Sequence, residues 1–329
     1  MTDDELKKVL GIRYVKLHFT VESAGDSTLP KYKASAIRGG IGEMLLRASC
    51  IRDRECECCD FLDECLVQRI MYPRMKIQPA FMTNRDSTGY VIECEDYHEE
   101  IGDGDAWKFN ILLFGKVIAH FAQILDAVFR LGEAGIGRHG AQYRIREITN
   151  SSGHPILKGN DVVMRNYRVG TVGEYVKYRL DRDSGHSGDR WRIKFQTPLC
   201  LKSNGVFLDF FDPKAVIAAI RRRIYILDCL EGIEAPQWLD KEAAFQVVRE
   251  RHSMVSVPRY SNHRNEKMVL KGIEGDMETE SIPGSLLPLL YAGELVHIGK
   301  NTSFGFGRYK VMCDGKTSDR IEALEEILK

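Results

Sequence analysis

The stretch Gly293-Glu-Leu-Val-His-Ile-Gly-Lys-Asn-Thr-Ser-Phe-Gly-Phe-Gly-Arg-Tyr309 gathers the residue types that hold a phosphate. Its glycines permit positive φ and let the backbone come close to a ligand. Exposed N–H groups and the hydroxyls of Thr302 and Ser303 suit phosphate oxygens, and Lys300 and Arg308 add charge. Phe304, Phe306 and Tyr309 alternate with the glycines, so bases could stack among them. The same residues also read as a tight helix-to-strand turn with its aromatics in a core.

A second cluster carries different chemistry. Of nine cysteines, Cys50, Cys56, Cys58, Cys59 and Cys65 crowd into one short segment. With Cys58 set aside, the spacing is C-x5-C-x2-C-x5-C. A close C-x2-C pair flanked by two further thiols can wrap one tetrahedral ion, and zinc is the default for four sulfurs. Such an ion would supply the fold of a segment of about residues 50–75, too small to have its own core. An iron–sulfur cluster uses the same donors, and unligated surface thiols are the plain reading. Nothing ahead of Asp3-Asp4-Glu5 reads as a secretion signal, so a reducing, cytoplasmic setting without disulfides is expected. Cys94, Cys200, Cys229 and Cys313 stand apart and read as ordinary semi-buried cysteines.

The elements that must position these groups follow from periodicity. Tyr14, Lys16, His18 and Thr20 alternate with Val15, Leu17, Phe19 and Val21, which predicts a strand. A helix is expected over about 32–49, then the cysteine segment, then strands at 79–84, 89–94 and 107–114. Apolar positions 117, 118, 121, 124, 125, 128 and 131 have helical spacing. A Gly-rich loop over 132–140 leads to a strand at 143–148. The order is βαββαβ with an insertion after the first helix, the ferredoxin-like, RRM-like plan.

The order then repeats. Residues 151–188 have connector composition, with a hairpin expected around 162–179. A strand over 190–201, a helix over 213–229 capped by Asp212, strands at 256–262 and 267–279, a helix over 286–295 and a strand over 306–312 complete a second βαββαβ. The fold expected is therefore α+β, with two tandem ferredoxin-like domains over 1–150 and 189–329. The Gly-rich loops at 132–140 and 299–307 occupy equivalent places in the two halves, which strengthens a binding role for both.

Composition excludes little. A chain of 329 residues can bury two cores. No apolar run approaches a membrane span, so no membrane partner is expected. The formal net charge is zero, so an anionic partner must be met by local basic patches. Those patches are Arg221-Arg222-Arg223, Arg138-His139 with Arg144 and Arg146, and Arg259 with His263-Arg264. The acidic run from Glu93 to Asp105 reads as a solvated loop.

On these residues the chain resembles the CRISPR-associated endoribonucleases that cut precursor CRISPR RNA, members of the RAMP superfamily. The resemblance is carried by Arg259-Tyr-Ser-Asn-His-Arg264, Lys267-Met268, Leu270-Lys-Gly-Ile-Glu-Gly275 and Gly293 to Tyr309. The paired loops, the doubled plan and the four-cysteine insertion after Ile37-Arg38-Gly39-Gly40, seen in one branch, agree with it. It implies metal-independent cleavage of a repeat RNA by its own 2′-hydroxyl, leaving a 2′,3′-cyclic phosphate. The partners implied are repeat or guide RNA and other CRISPR effector subunits.

That chemistry needs a base for the 2′-OH, an acid for the 5′-oxygen and a cation for the phosphorane, with no cofactor for catalysis. Many relatives place a histidine at the start of the first helix. Leu29-Pro-Lys-Tyr-Lys-Ala-Ser-Ala36 has none, so Tyr32 and Lys33 are the nearest substitutes. His297 and His18 are the other candidates. RNA contacts are expected from Lys300, Thr302, Ser303 and Arg308 on one loop, Arg138 and His139 on the other, and Arg259 and Arg264 between them. The missing histidine also suits a RAMP protein that holds guide RNA without cutting it.

Overall fold

A computed structural model describes residues 10–75, 79, 82, 89–137, 139–159, 161–184, 190–203, 205–233, 244–261 and 266–313. The first half runs β1 (Arg13–Ser23), β2 (Ser27–Thr28), α1 (Lys33–Ser49), α2 (Leu66–Met71), β3 (Tyr90–Glu93), β4 (Glu100–Ile101), β5 (Ala106–Phe114), α3 (Phe121–Ala134) and β6 (Tyr143–Asn150). Alternation builds its sheet. Val15, Leu17, Phe19 and Val21 of β1 are all buried in one core, while Lys16, His18 and Thr20 occupy the other face. β1 lies between β5 and β6, and β3 pairs with the far edge of β5, all antiparallel. The order is β3-β5-β1-β6.

Residues 151–159 and 161–184 hold more structure than the connector expected over 151–188. β7 (Pro155–Lys158) and β8 (Asp161–Val162) form a hairpin that extends the sheet beyond β6. β9 (Gly170–Thr171) then pairs with the start of β1. The hairpin expected around 162–179 is instead α4 (Val172–Asp183) over the last part of that range. Its start is legible in retrospect. The Thr171 hydroxyl accepts from the Glu174 N–H and the Glu174 carboxylate accepts from the Thr171 N–H, a capping box.

The second half contains β10 (Trp191–Leu199), the small hairpin β11 (Lys202–Ser203) and β12 (Val206–Phe207), and α5 (Pro213–Glu231). After them come the long ribbon β13 (Arg249–Ser261) and β14 (Glu266–Thr279), α6 (Leu287–Val296) and β15 (Tyr309–Cys313). Its antiparallel sheet has the order β13-β14-β10-β15. Asp212 caps α5 as expected, accepting the Lys214 N–H at 2.9 Å. The strand expected over 79–84 falls largely outside the described residues.

Two cores result, and the second is shared. Ile111 and Leu113 of β5 enter the first core, whereas Leu112 and Phe114 enter the second with Val91, Leu10 and Ile12. The rear face of the first sheet is thus a wall of the second half. Each such side chain contributes about 1.5–3 kcal/mol by leaving water. Among the described residues no helix is long and apolar enough to cross a membrane.

Candidate functional site

α6 is buried on every side from Pro288 to Val296 and delivers His297 with φ 57° and ψ 155°, a conformation that L side chains rarely adopt. The loop that follows is largely bonded to the protein itself. The N–H groups of Lys300, Phe304, Gly305, Phe306 and Gly307 donate to backbone carbonyls, and that of Arg308 donates to the Thr197 hydroxyl. They are therefore not the open phosphate cradle expected from the glycines. The glycines serve close packing: a Cβ on Gly305 would lie 2.7 Å from the Ile92 carbonyl, and one on Gly307 1.8 Å from that of Ile298.

The rear end of this loop is tied to the first half through Glu93. That carboxylate accepts from Lys16 Nζ at 2.8 Å and Asn110 Nδ2 at 2.8 Å, and its other oxygen lies 3.0 Å from His297 Nε2. Arg308 completes the set at 3.7 Å and also pairs with Glu95. Burial alone would raise the Glu93 pKa, but Lys16, Arg308 and His297 outweigh it and hold the group well below the ordinary carboxylate range. The acidic run that begins at Glu93 is expected from its sequence to be a solvated loop, but Glu93 itself is not solvated. It is instead the hub of a buried polar network between the halves.

The front end faces a cleft of about 2570 Å³ between the halves, well beyond the roughly 300–1,000 Å³ of a small-molecule site. Both Gly-rich loops line it, through Gly135, Gly137 and His139 on one side and Gly299 to Phe304 on the other. The start of α1, the cysteine segment and the end of the β13–β14 ribbon form its other walls. Nine Lys and Arg line it against four Glu among the described residues, in a chain with no net charge. Phe304 organises two of the cations. The guanidinium carbons of Arg38, from the first half, and Arg259, from the second, each lie 4.4 Å from its ring centroid. Arg38 was not singled out from the sequence, because a single arginine on a helix carries no spacing signal.

The expected site residues therefore divide. Tyr32, Lys300, His139 and Arg259 line the cleft. Thr302 and Ser303 form its wall with only 5% and 3% of their surface exposed. Arg138 and Arg264 lie outside the described residues. Lys33 is fully buried, its ammonium bonded to the Asp96 and His98 carbonyls, so it cannot meet a phosphodiester there. His297 is fully buried as well. Arg308 has 12% of its side chain exposed and is engaged by two carboxylates, so its charge is directed inward rather than to RNA. His18 is bonded to Asn110 at 2.7 Å on the rear face of the sheet. Phe306 and Tyr309 are buried, which removes them as stacking platforms. Of the arginine triplet, Arg222 and Arg223 line the cleft, Arg223 with only 5% of its surface exposed, and Arg221 is buried.

The cysteine segment forms one wall of the cleft through residues 54–58. Burial raises the Cys56 pKa, and the charges of Cys65, Cys50 and Cys59 raise it further. Those are the three partners expected from the spacing, and Cys58 is not among them. Cys50 Sγ also accepts the Arg54 N–H at 3.3 Å. The donor chemistry fits a soft tetrahedral ion. Among the described residues, however, no three Cys, His, Asp or Glu are gathered into a metal-holding group.

Comparison with known proteins agrees with this architecture. A family model described as CRISPR-associated endoribonuclease Cas6 matches residues 193–309, and one described only as an N-terminal domain matches residues 12–169. A protein of Archaeoglobus fulgidus described as uncharacterized is 23% identical over 295 residues, covering 86% of this chain and 92% of its own length. A partial Cas6-RT-Cas1–Cas2 complex aligns over 94% of this chain with a TM-score of 0.58 and 11% identity. A Cas6 product complex aligns over 91% with a TM-score of 0.51 and 13% identity. This chain spans 48% of the first structure's chain and 99% of the second's. The shared feature is the fold.

Proposed function

We propose that the chain, whose residues 193–309 match the CRISPR-associated endoribonuclease Cas6 family model, binds CRISPR repeat RNA in the cleft and cleaves it. The observation that carries this reading is the charge of the cleft. Nine cations against four carboxylates concentrate positive potential in one trough of a neutral protein, as a polyanion requires. Lys300, Arg259 and His139 meet phosphates, with Arg38 joining Arg259 on Phe304. A cation stacked on an aromatic ring has a fixed plane, which suits an oxyanion.

Cleavage proceeds by attack of the RNA's 2′-hydroxyl on the adjacent phosphorus, without a metal, and leaves a 2′,3′-cyclic phosphate and a 5′-hydroxyl. Of the four candidate catalytic side chains, Tyr32, Lys33, His297 and His18, Tyr32 is the one that lines the cleft. Both halves are read as ferredoxin-like, with the segment over 151–188 between them. The cysteine segment binds one structural zinc through Cys50, Cys56, Cys59 and Cys65, which closes when the ion draws the sulfurs together. An RNA substrate of this kind places the protein in the cytoplasm. Other CRISPR proteins are its expected partners, in keeping with the neighbour that is a complex with Cas1 and Cas2.

A second reading rests on the burial of Lys33 and His297. With neither on the cleft, the protein would hold guide RNA without cutting it. End-labelled repeat RNA incubated with the protein and EDTA separates the two. Cutting that stops with a 2′-deoxy substitution at the cut site supports the endoribonuclease. RNA bound but left whole supports the holder, and cutting of the deoxy substrate contradicts the 2′-hydroxyl mechanism.

A further inference from the structure

One edge of the cleft carries a second pairing of cation and ring. The β11–β12 hairpin sets Lys202 directly opposite Phe207, and Ser203 opposite Val206. Opposed residues of an antiparallel pair share a face, and the Lys202 ammonium lies 4.7 Å from the Phe207 ring centroid. Lys202 and Ser203 line the cleft, while Phe207 stands beside it with 56% of its surface exposed. The hairpin has a rigid base. Leu201 and Leu208 pack in the second core, and the Leu201 carbonyl accepts the Leu208 N–H at 3.1 Å. It is also tied to the C-terminal Gly-rich loop, because the Cys200 carbonyl accepts the Lys300 N–H at 2.8 Å. The charges of Lys300 and Lys202 both act on the Cys200 thiol between them.

We propose that Phe207 is a stacking platform for one unpaired base of the bound RNA, beside the phosphates met by Lys300 and Lys202. The inference rests on the reading of the cleft as an RNA site, and it adds a base contact to the phosphate contacts there. An exposed ring accepts any base, since every base has a π-face, but the base must be free of a duplex. The ligand of this subsite is therefore a single-stranded stretch of RNA entering or leaving the cleft. It is selected by being unpaired, not by its sequence.

Exposure alone would mean little, because single apolar side chains are common on protein surfaces. The setting of Phe207 is what favours a nucleotide. The ring is held by a cation that itself lines a basic cleft, and a nucleotide brings an apolar base and a phosphate together to match the two. A protein partner fits less well. Val206 is 68% exposed, but neighbours in a strand point to opposite faces, so it and Phe207 do not form one continuous apolar patch. An apolar partner would also have to cover the Lys202 ammonium, which costs free energy when the charge is left unpaired.

Equilibrium binding of end-labelled repeat RNA, with single abasic positions introduced in turn, tests the proposal. Phe207→Ala should weaken binding by about 5- to 150-fold, the range of one base–aromatic stack, with salt slope and thermal midpoint unchanged. Lys202→Ala should instead flatten the slope of log affinity against log salt by about 0.7, because it removes one phosphate contact to a single strand. Phe207→Trp should retain binding, and Val206→Ser, on the opposite face, should bind like the unmodified protein. One abasic position should weaken the unmodified protein as Phe207→Ala does and have no further effect in that variant, since base and ring form one pair. Full RNA affinity in Phe207→Ala overturns the inference, whether the hairpin then meets a protein or only solvent. So does an abasic scan with the same profile in Phe207→Ala as in the unmodified protein. In either case the RNA reading of the cleft stands if Lys300→Ala still weakens binding. An unmodified protein that binds no RNA overturns both.

Discussion

The two ends of the C-terminal Gly-rich loop carry similar side chains and do opposite things with them. At the rear, His297 and Arg308 turn inward to Glu93, and at the front Lys300 and Phe304 face the cleft with Arg38 and Arg259. Residue type does not separate the two ends. The deciding difference is what the first half offers in return: carboxylates of β3 and the residues just after it at the rear, an open basic trough at the front. A cation in a binding motif is available to RNA only when the protein has not already neutralised it.

The comparison breaks most easily at the rear. Replacing Glu93 by Ala leaves Lys16 and Arg308 without their shared carboxylate in a buried site, and removing one partner of such a set costs about 3–5 kcal/mol. Denaturant unfolding measures this, and a loss below about 1 kcal/mol would show that the network does not hold the halves. The sign with pH follows. Because the folded-state pKa of Glu93 is depressed, its contribution is present above the ordinary carboxylate range and is lost as pH falls through the folded value. The variant should lack that acid-dependent part of its stability.

At the front the expected effect is smaller and falls on binding. Phe304→Ala removes the ring on which two guanidinium groups stack, each contact being worth about 0.5–1 kcal/mol. RNA affinity should drop by roughly 5–30-fold with the fold retained. Equal affinity in a titration would mean that Arg38 and Arg259 do not act through the ring.

The cysteine wall sharpens the comparison further. Elemental analysis should find about one zinc per chain, lost in Cys56→Ser and kept in Cys58→Ser. RNA affinity should fall only modestly in Cys56→Ser, since residues 54–58 form one wall among several. Loss of metal in Cys58→Ser would disprove the assigned ligand set.

Much of the fold was legible because it rests on periodicity. β1, α1, α5 and α6 lie close to where alternation, helical spacing and the Asp212 cap put them. α4 escaped because Val172 to Asp183 is polar and its apolar stripe is narrow, although Thr171 and Glu174 spelled its start. The site was less legible. Both Gly-rich loops and Tyr32 do meet at one cleft, as their equivalent placing in the two halves suggested. Burial of Lys33 under the Asp96 and His98 carbonyls, and of His297 against Glu93, depends on contacts more than 60 residues apart that no local pattern records.

The salt dependence of RNA binding by Lys300→Ala and Arg308→Ala tests the division of the loop most directly. Each phosphate contact to a single strand contributes about 0.7 to the slope of log affinity against log salt. Lys300→Ala should flatten the slope by about that amount, and Arg308→Ala should leave it unchanged while lowering stability. Equal flattening in both variants would contradict the account, because it would place Arg308 on the RNA rather than in the lock behind it.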